Sequence, residues 1–85
     1  MNIKKFVKER DTMLQKCSIE ELRKFVRKNA GKYYDKEFAQ RFENASDEVA
    51  EITLHKMIVH CTNLPFSLRE KSMKWLLTNG HSLKI

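Results

Sequence analysis

Apolar residues recur at helical spacing at the start of the chain. At 100° per residue, six apolar side chains fall on one arc: Ile3, Phe6, Val7, Met13, Leu14 and Cys17. This pattern predicts an amphipathic helix over residues 3–16, with Asn2 as its N-cap. Arg10 falls in the middle of the arc. We expect its guanidinium either to extend to water or to pair with a carboxylate from the acidic middle of the chain.

A second helix is predicted over residues 19–29. The sequence Ser18-Ile-Glu-Glu21 is a capping box, in which each side chain satisfies the backbone N–H of the other residue. Gly31 then favours a helix end, because glycine readily adopts positive φ. Apolar residues occupy one face of this helix, and basic residues occupy the other: Arg23, Lys24, Arg27 and Lys28.

The pattern over residues 47–61 has two apolar arcs. One arc holds Ala50, Leu54, Met57, Ile58 and Cys61, and a second arc, pointing elsewhere, holds Val49, Ile52 and Val59. A helix that is apolar on two sides is either the central helix of a bundle or a contact surface for a partner. Both interpretations remain open, and Val49, Ile52 and Val59 are the candidate protein interface.

A last helix is predicted over residues 67–79. Ser67 and Glu70 form a second capping box, although Pro65 leaves an earlier start open. Asn79-Gly80 is a C-terminal stop. The apolar residues, which include Trp75 and Leu77, spread over about half of the circumference, so we expect this helix to be well buried.

The segment 32–45 is the least regular part of the chain. Asp35 is placed to cap a short helix over residues 36–43, in which two phenylalanines stack at i, i+4; an ordered loop is the alternative. The chain has 85 residues with only two glycines and one proline, which favours helices over a turn-rich β fold. We therefore predict a single all-α domain over residues 1–85, a compact bundle of four to five short helices.

The net charge of +6 is unevenly distributed. Residues 1–36 carry +6, residues 37–56 carry −3 and residues 57–85 carry +3. Basic helix faces are either solvated or bind polyanions. The helices over 47–61 and 67–79, joined by a short loop, are compatible with a helix-turn-helix. The candidate nucleic-acid residues are Arg23, Lys24, Arg27, Lys28, Lys71 and Lys74.

Several kinds of chemistry lack the residues they need. His55 and His60 are five residues apart and point about 140° away from each other on a helix, which does not suit a zinc pair. Cys17 and Cys61 form no CxxC motif, and glycine-rich phosphate loops are missing. We expect no metal, no cofactor and no catalysis. The start of the chain has no long apolar run, so we expect neither a secretory signal nor a membrane span.

The chain resembles a family of small proteins encoded in phages and prophages of Gram-positive bacteria. The resemblance rests on Arg10-Asp11, on His55-Lys56 and above all on a closing motif, Arg69-Glu-Lys-Ser72, Lys74-Trp-Leu76 and Asn79-Gly-His-Ser82. The sequence departs from the family pattern between Tyr33 and Glu43. The resemblance implies a compact helical fold, a bacterial cytoplasmic setting and structural importance for Arg10 and His55. It implies no activity.

The sequence thus favours a non-catalytic protein that binds a macromolecule. Our first hypothesis is a protein-interaction module, acting on a partner protein or on a second copy of itself. The alternative is a basic nucleic-acid-binding protein that uses the helix-loop-helix pair. An enzyme is the third possibility, and a deep polar pocket around Arg10 and His55 would be needed to support it.

Overall fold

The computed structural model describes residues 2–84. Within these residues the chain forms five helices, joined by loops, and no β-strand. They are α1 (Ile3–Gln15), α2 (Ile19–Lys28), α3 (Lys36–Glu43), α4 (Asp47–His60) and α5 (Phe66–Thr78). The predicted all-α bundle is confirmed, and so is the short helix between residues 36 and 43.

Four of the five helices begin at a side-chain cap. The Asn2 carboxamide oxygen accepts from the backbone N–H of Lys4 and Lys5, and the Ser18 hydroxyl accepts from Glu21 N–H at 3.3 Å. Asp35 caps α3 and Ser46 caps α4 in the same way. Each cap satisfies backbone donors that have no partner within the helix.

The expected capping box at the start of α5 is wrong. The helix begins one residue earlier, at Phe66, with Pro65 in the N-cap position and no side-chain cap. Ser67 therefore lies within the first turn and is exposed. At the other end Gly80 adopts a φ of 76°, which lets the His81 N–H reach the Leu76 carbonyl oxygen at 2.8 Å.

The predicted arc of α1 is only partly buried. Met13 and Leu14 lie in the core, but Ile3 is exposed, and Cys17 lies beyond the helix end, exposed, with a positive φ of 49°. The expectation that Cys17 packs at the core edge is therefore wrong. It fails because α1 ends at Gln15, so the helical periodicity does not extend to Cys17.

Helix α4 is the centre of the bundle. It packs against α1, α2 and α5, and its buried residues Ala50, Leu54 and Ile58 face the main core. That core also takes Leu22, Phe25 and Val26 from α2 and Phe42 from α3. The first of the two apolar arcs predicted for α4 thus lies in the core.

Helix α5 is less buried than its sequence suggests. It packs on α4 and makes at most marginal contact with the other helices. Its buried residues are Ser72 and Leu76, whereas Leu77 is 61% exposed and Phe66 is 59% exposed. An apolar stripe on α5 is left uncovered because no third layer of helices lies beyond it.

Aromatic residues join α3 and its preceding loop to the N-terminal helices. The rings of Phe6 and Tyr33 stack with centroids 4.2 Å apart, and Tyr34 packs edge-on against Phe6 and Phe25. Phe38 and Phe42 stack at i, i+4, as predicted. These contacts hold the segment 32–45 against the bundle despite its short helix.

Candidate functional site

A predominantly apolar depression lies between α4 and the loop that leads into α3. It has a volume of about 560 Å³, within the usual range for binding pockets. We call it the α3–α4 groove. Its wall from the loop and α3 consists of Tyr33, Tyr34, Asp35 and Phe38, and its wall from α4 consists of Val49, Ile52, Thr53, Lys56 and Met57.

The groove contains two of the three residues predicted as a protein interface. Val49 is 49% exposed at its edge, and Ile52 is partly buried. Val59, two turns further along α4, is also partly buried but does not line the groove. The second apolar arc of α4 is therefore divided, because the groove extends along that helix only from Val49 to Met57.

Charge around the groove is nearly balanced, although the surrounding segment is acidic. Two of its carboxylates are paired with arginines of α2: Glu43 lies 2.7 Å from Arg27, and Asp47 lies 3.2 Å from Arg23. At the rim, the groove presents one carboxylate, Asp35, and one ammonium group, Lys56. The groove is thus an apolar surface with one charge of each sign.

A second polar cluster joins α4 to α5. The His55 Nδ1 is hydrogen-bonded to the Ser72 hydroxyl at 2.9 Å, and its Nε2 lies 3.8 Å from a Glu51 carboxylate oxygen. The imidazole also stacks on Trp75 with ring centroids 4.3 Å apart. Burial lowers the pKa of His55, and the Glu51 carboxylate only partly opposes that shift.

The Glu51–His55–Ser72 arrangement superficially suggests nucleophilic catalysis. A serine nucleophile must meet its substrate, but Ser72 is only 1% exposed between the two helices. Ser72 lines none of the cavities identified within residues 2–84. The cluster therefore satisfies buried polar groups at the α4–α5 interface.

Arg10 and Asp11 connect α1 to the end of α4. Asp11 accepts hydrogen bonds from Arg10 Nη2 at 3.0 Å, from Cys61 Sγ at 3.1 Å and from Asn63 Nδ2 at 3.1 Å. The partner of Arg10 is thus its sequence neighbour and not a carboxylate from the acidic middle segment. The deep polar pocket around Arg10 and His55 that an enzyme would need does not occur among the described cavities.

The same contacts perturb two pKa values in opposite directions. Partial burial by itself would raise the pKa of Asp11, but the hydrogen bonds from Cys61, Arg10 and Asn63 lower it below its ordinary value. Burial raises the pKa of Cys61, and its hydrogen bond to the Asp11 carboxylate raises it further. Cys61 is therefore a protonated thiol at neutral pH and a poor nucleophile.

The four basic residues predicted on α2 do not form an unpaired surface. Arg23 has a side chain only 19% exposed and donates to the carbonyl oxygens of Phe42 and Ala45 at 2.9 and 3.0 Å. Its guanidinium is engaged by the fold, so Arg23 is not available as a phosphate contact. Lys24, Arg27 and Lys28 are exposed, and each lies within 4.0 Å of a carboxylate.

The basic residues predicted on α5 lie apart from those of α2. Lys71 and Lys74 are exposed on the outer side of α5, and Lys74 lies 3.6 Å from Glu70. Helices α2 and α5 make at most marginal contact, so packing does not bring the two sets together into one surface. Nucleic-acid binding by these residues stays a prediction.

Two further features bear on possible ligands. Within residues 2–84, no group of three or more His, Cys, Asp or Glu side chains is arranged to hold a metal ion. None of the helices described for this chain is both long and apolar enough to cross a bilayer.

Comparison with known proteins assigns no family to the chain. No protein-family model matches it, and neither a curated protein nor a solved structure shows significant similarity to it. The relationship to phage and prophage proteins therefore stays a prediction from the motifs of the sequence.

Proposed function

We propose that this protein acts without catalysis, by binding protein through the α3–α4 groove. The observation that carries the proposal is the groove itself, a depression with a volume of about 560 Å³ that is lined mainly by aromatic and aliphatic side chains, with Val49 exposed at its edge. Contiguous apolar surface that stays exposed on a folded protein usually marks a site where another molecule binds, because exposing it to water does not stabilise the monomer.

The partner to which we commit is a second copy of the chain. A twofold axis places Asp35 of each copy near Lys56 of the other, so a rim with one charge of each sign is complementary to itself. The exposed Val49 at the edge of one groove then packs into the other. Helices α1 and α2 are strongly basic and carry much of the net positive charge of the chain. The rim of the groove carries one charge of each sign, so two copies that meet at this rim repel each other least.

The setting that we propose is the bacterial cytoplasm, in a phage or prophage protein. The support is the resemblance of the closing motif over residues 69–82. The two cysteines are both free, one exposed and one buried, as is usual in a reducing compartment.

Sedimentation velocity over about 1–200 µM tests the proposal, since an interface at the small end of the usual range gives micromolar affinity. We expect a concentration-dependent monomer–dimer equilibrium. Val49→Lys should raise the dissociation constant about tenfold or more, because each copy would bury an unpaired ammonium group. Leu77→Lys is the matched control: it adds the same charge at another exposed apolar position, on α5, and should leave the equilibrium unchanged.

Circular dichroism on both variants verifies that the fold is retained. A monomer throughout the concentration range overturns the assignment of a second copy. A dimer that Leu77→Lys dissociates, and Val49→Lys does not, places the interface on the α5 stripe and overturns the assignment of the groove.

A further inference from the structure

We infer that one flank of α1, together with the end of α2, binds the phosphate backbone of duplex nucleic acid. We call this the lysine surface, and it consists of Lys5, Lys8, Lys16, Lys28 and Lys32. It differs from the candidate nucleic-acid residues identified in the sequence except for Lys28. The inference does not rest on the α3–α4 groove, although both surfaces border the loop between α2 and α3, where Tyr33 lines the groove and one of the two depressions described below.

Two adjoining shallow depressions bring these lysines together. One, along α1, is lined by Lys5, Lys8 and Lys16. The other, between the start of α1 and the loop after α2, is lined by Lys5, Lys28 and Lys32. Lys5 and Glu9 belong to both depressions, so the surface is continuous across two helices and a loop. Its residues are far apart in sequence, and only the packing of α1 on α2 joins them.

The positive charge of the surface is only weakly neutralised. Glu9 is the one carboxylate that lines it, and it lies 3.4 Å from Lys28. Lys16 has a distant partner, Glu21, at 3.8 Å. Within residues 2–84, no carboxylate lies within 4.0 Å of the ammonium groups of Lys5, Lys8 or Lys32.

Helix stability does not explain the charges at the start of α1. The first turn holds Lys4 and Lys5 and no acidic residue, whereas the helix dipole favours negative charge there. Each of these lysines therefore opposes the dipole. A bound polyanion would supply negative charge at this end of α1 and so offset the unfavourable interaction between the lysines and the helix dipole.

The dimensions fit a phosphate backbone. Lys5 and Lys16 are 11 residues apart on the chain, so they span about 16 Å along the helix axis. That length corresponds to about five steps of 3.4 Å along one strand of B-form DNA. Lysines at intervals over this span can contact several phosphates at the same time.

The neighbouring side chains favour a duplex over the other polyanionic partners. Phe6, the aromatic residue of α1, stacks on both Tyr33 and Phe25, so its ring is engaged within the protein and is not a free platform for the bases of a single strand. Met13 and Leu14 of α1 are packed into the core, and Ile3 is the one large apolar residue of the helix that is exposed, which is too little apolar surface to anchor α1 in a lipid layer. Asn29 is buried and its side chain donates to the Phe25 carbonyl oxygen, so this amide cannot contact the edge of a base. The lysine surface therefore contacts phosphates and does not read the base sequence.

Fluorescence anisotropy of a labelled 20-base-pair duplex, measured between 50 and 200 mM salt, tests the inference. Four to five phosphate contacts predict a slope of log K against log salt of about −4, a loss of roughly 200-fold over that range. The double variant Lys5→Gln/Lys8→Gln should reduce the slope by about two. The matched control is Arg41→Gln/Lys84→Gln, which removes the same charge from two exposed positions outside the lysine surface and should leave the slope unchanged.

Three outcomes would overturn the inference. One is the lack of any binding at 50 mM salt. Another is an equal loss for both double variants, since that would reflect net charge and not a surface. The third is preferential binding to vesicles containing phosphatidylserine or to a single strand of the same length. Measured secondary structure of both variants excludes unfolding as the cause of a loss.

Discussion

At the scale of single residues, buried polar side chains hold neighbouring helices together. Asp11 receives hydrogen bonds from Arg10, Cys61 and Asn63, and so connects α1 to the loop after α4. His55 contacts Ser72 and Trp75, and so connects α4 to α5. These groups avoid the penalty of burial because each has a partner of suitable chemistry.

The His55 contacts predict how stability depends on pH. Burial lowers the pKa of His55 in the folded state. Once the pH falls below about 6.5, the unfolded chain therefore binds more protons than the folded chain. The contribution of the neutral imidazole is therefore complete above that pH and decreases as the pH falls from about 6.5 towards the lowered folded pKa. Urea unfolding from pH 7.5 to 5, followed by the fluorescence of Trp75, measures this loss.

The His55→Gln variant isolates the imidazole. We expect it to be less stable than the wild type at pH 7.5 and to show a smaller loss on acidification. His60→Gln removes an exposed imidazole from the same helix and is the control for the loss of a histidine side chain as such. Identical pH profiles for the wild type and His55→Gln would contradict the prediction.

At the scale of elements, Arg23 connects three helices. Its guanidinium extends from α2 to carbonyl oxygens at the end of α3 and in the turn that follows, and it lies 3.2 Å from Asp47 at the start of α4. The positive charge suits the negative end of the α3 dipole. The planar guanidinium presents five N–H donors in a fixed fork, whereas the ammonium group of a lysine has three donors on a flexible stem.

We expect Arg23→Gln to lower the free energy of unfolding by about 1.5–3 kcal/mol, the usual contribution of hydrogen bonds to a charged group. Its neighbour Lys24 is exposed and lies 4.0 Å from Glu20. Lys24→Gln should therefore change stability by less than about 0.5 kcal/mol. Chemical denaturation of both variants gives the comparison, and equal effects would show that the Arg23 contacts contribute little.

At the scale of the whole molecule, α4 divides the protein into two unequal parts. On one side it completes the main core with α1, α2 and α3, and on the other it supports α5. An 85-residue domain buries only about 60% of its unfolded surface, so it has few alternatives for shielding α4. The exposed stripe on α5 is a consequence of that small size.

Adjacent leucines on α5 test this arrangement. Leu76 is fully buried against the bundle, and Leu77 is 61% exposed. We expect Leu76→Ala to lower the free energy of unfolding by about 2–5 kcal/mol and Leu77→Ala by less than about 0.5 kcal/mol. Urea denaturation distinguishes them. Similar losses for both variants would mean that α5 is buried on both sides, as its sequence pattern suggested.

The helices were largely predictable because their signals are local. Caps at Asn2, Ser18, Asp35 and Ser46 lie within three residues of the backbone groups that they satisfy. The false capping box at Ser67 shows the limit of a short motif, since Pro65 fixes its own φ and starts the helix earlier. Periodicity also picked out Val49 and Ile52, two of the nine residues that line the α3–α4 groove.

Only the tertiary structure decided which side chains meet. Sequence periodicity orders residues around one helix, but it carries no information on what covers each face. The groove depends on where the loop at Tyr33 and Tyr34 packs, and the lysine surface depends on α1 lying beside the end of α2. The sequence by itself determined the class of fold and most of the helix ends, because these follow from interactions over a few residues, but it left the number of helices at four to five and misplaced the start of α5. Packing decided which charges are paired and which apolar faces remain exposed, because those contacts join residues far apart in the chain.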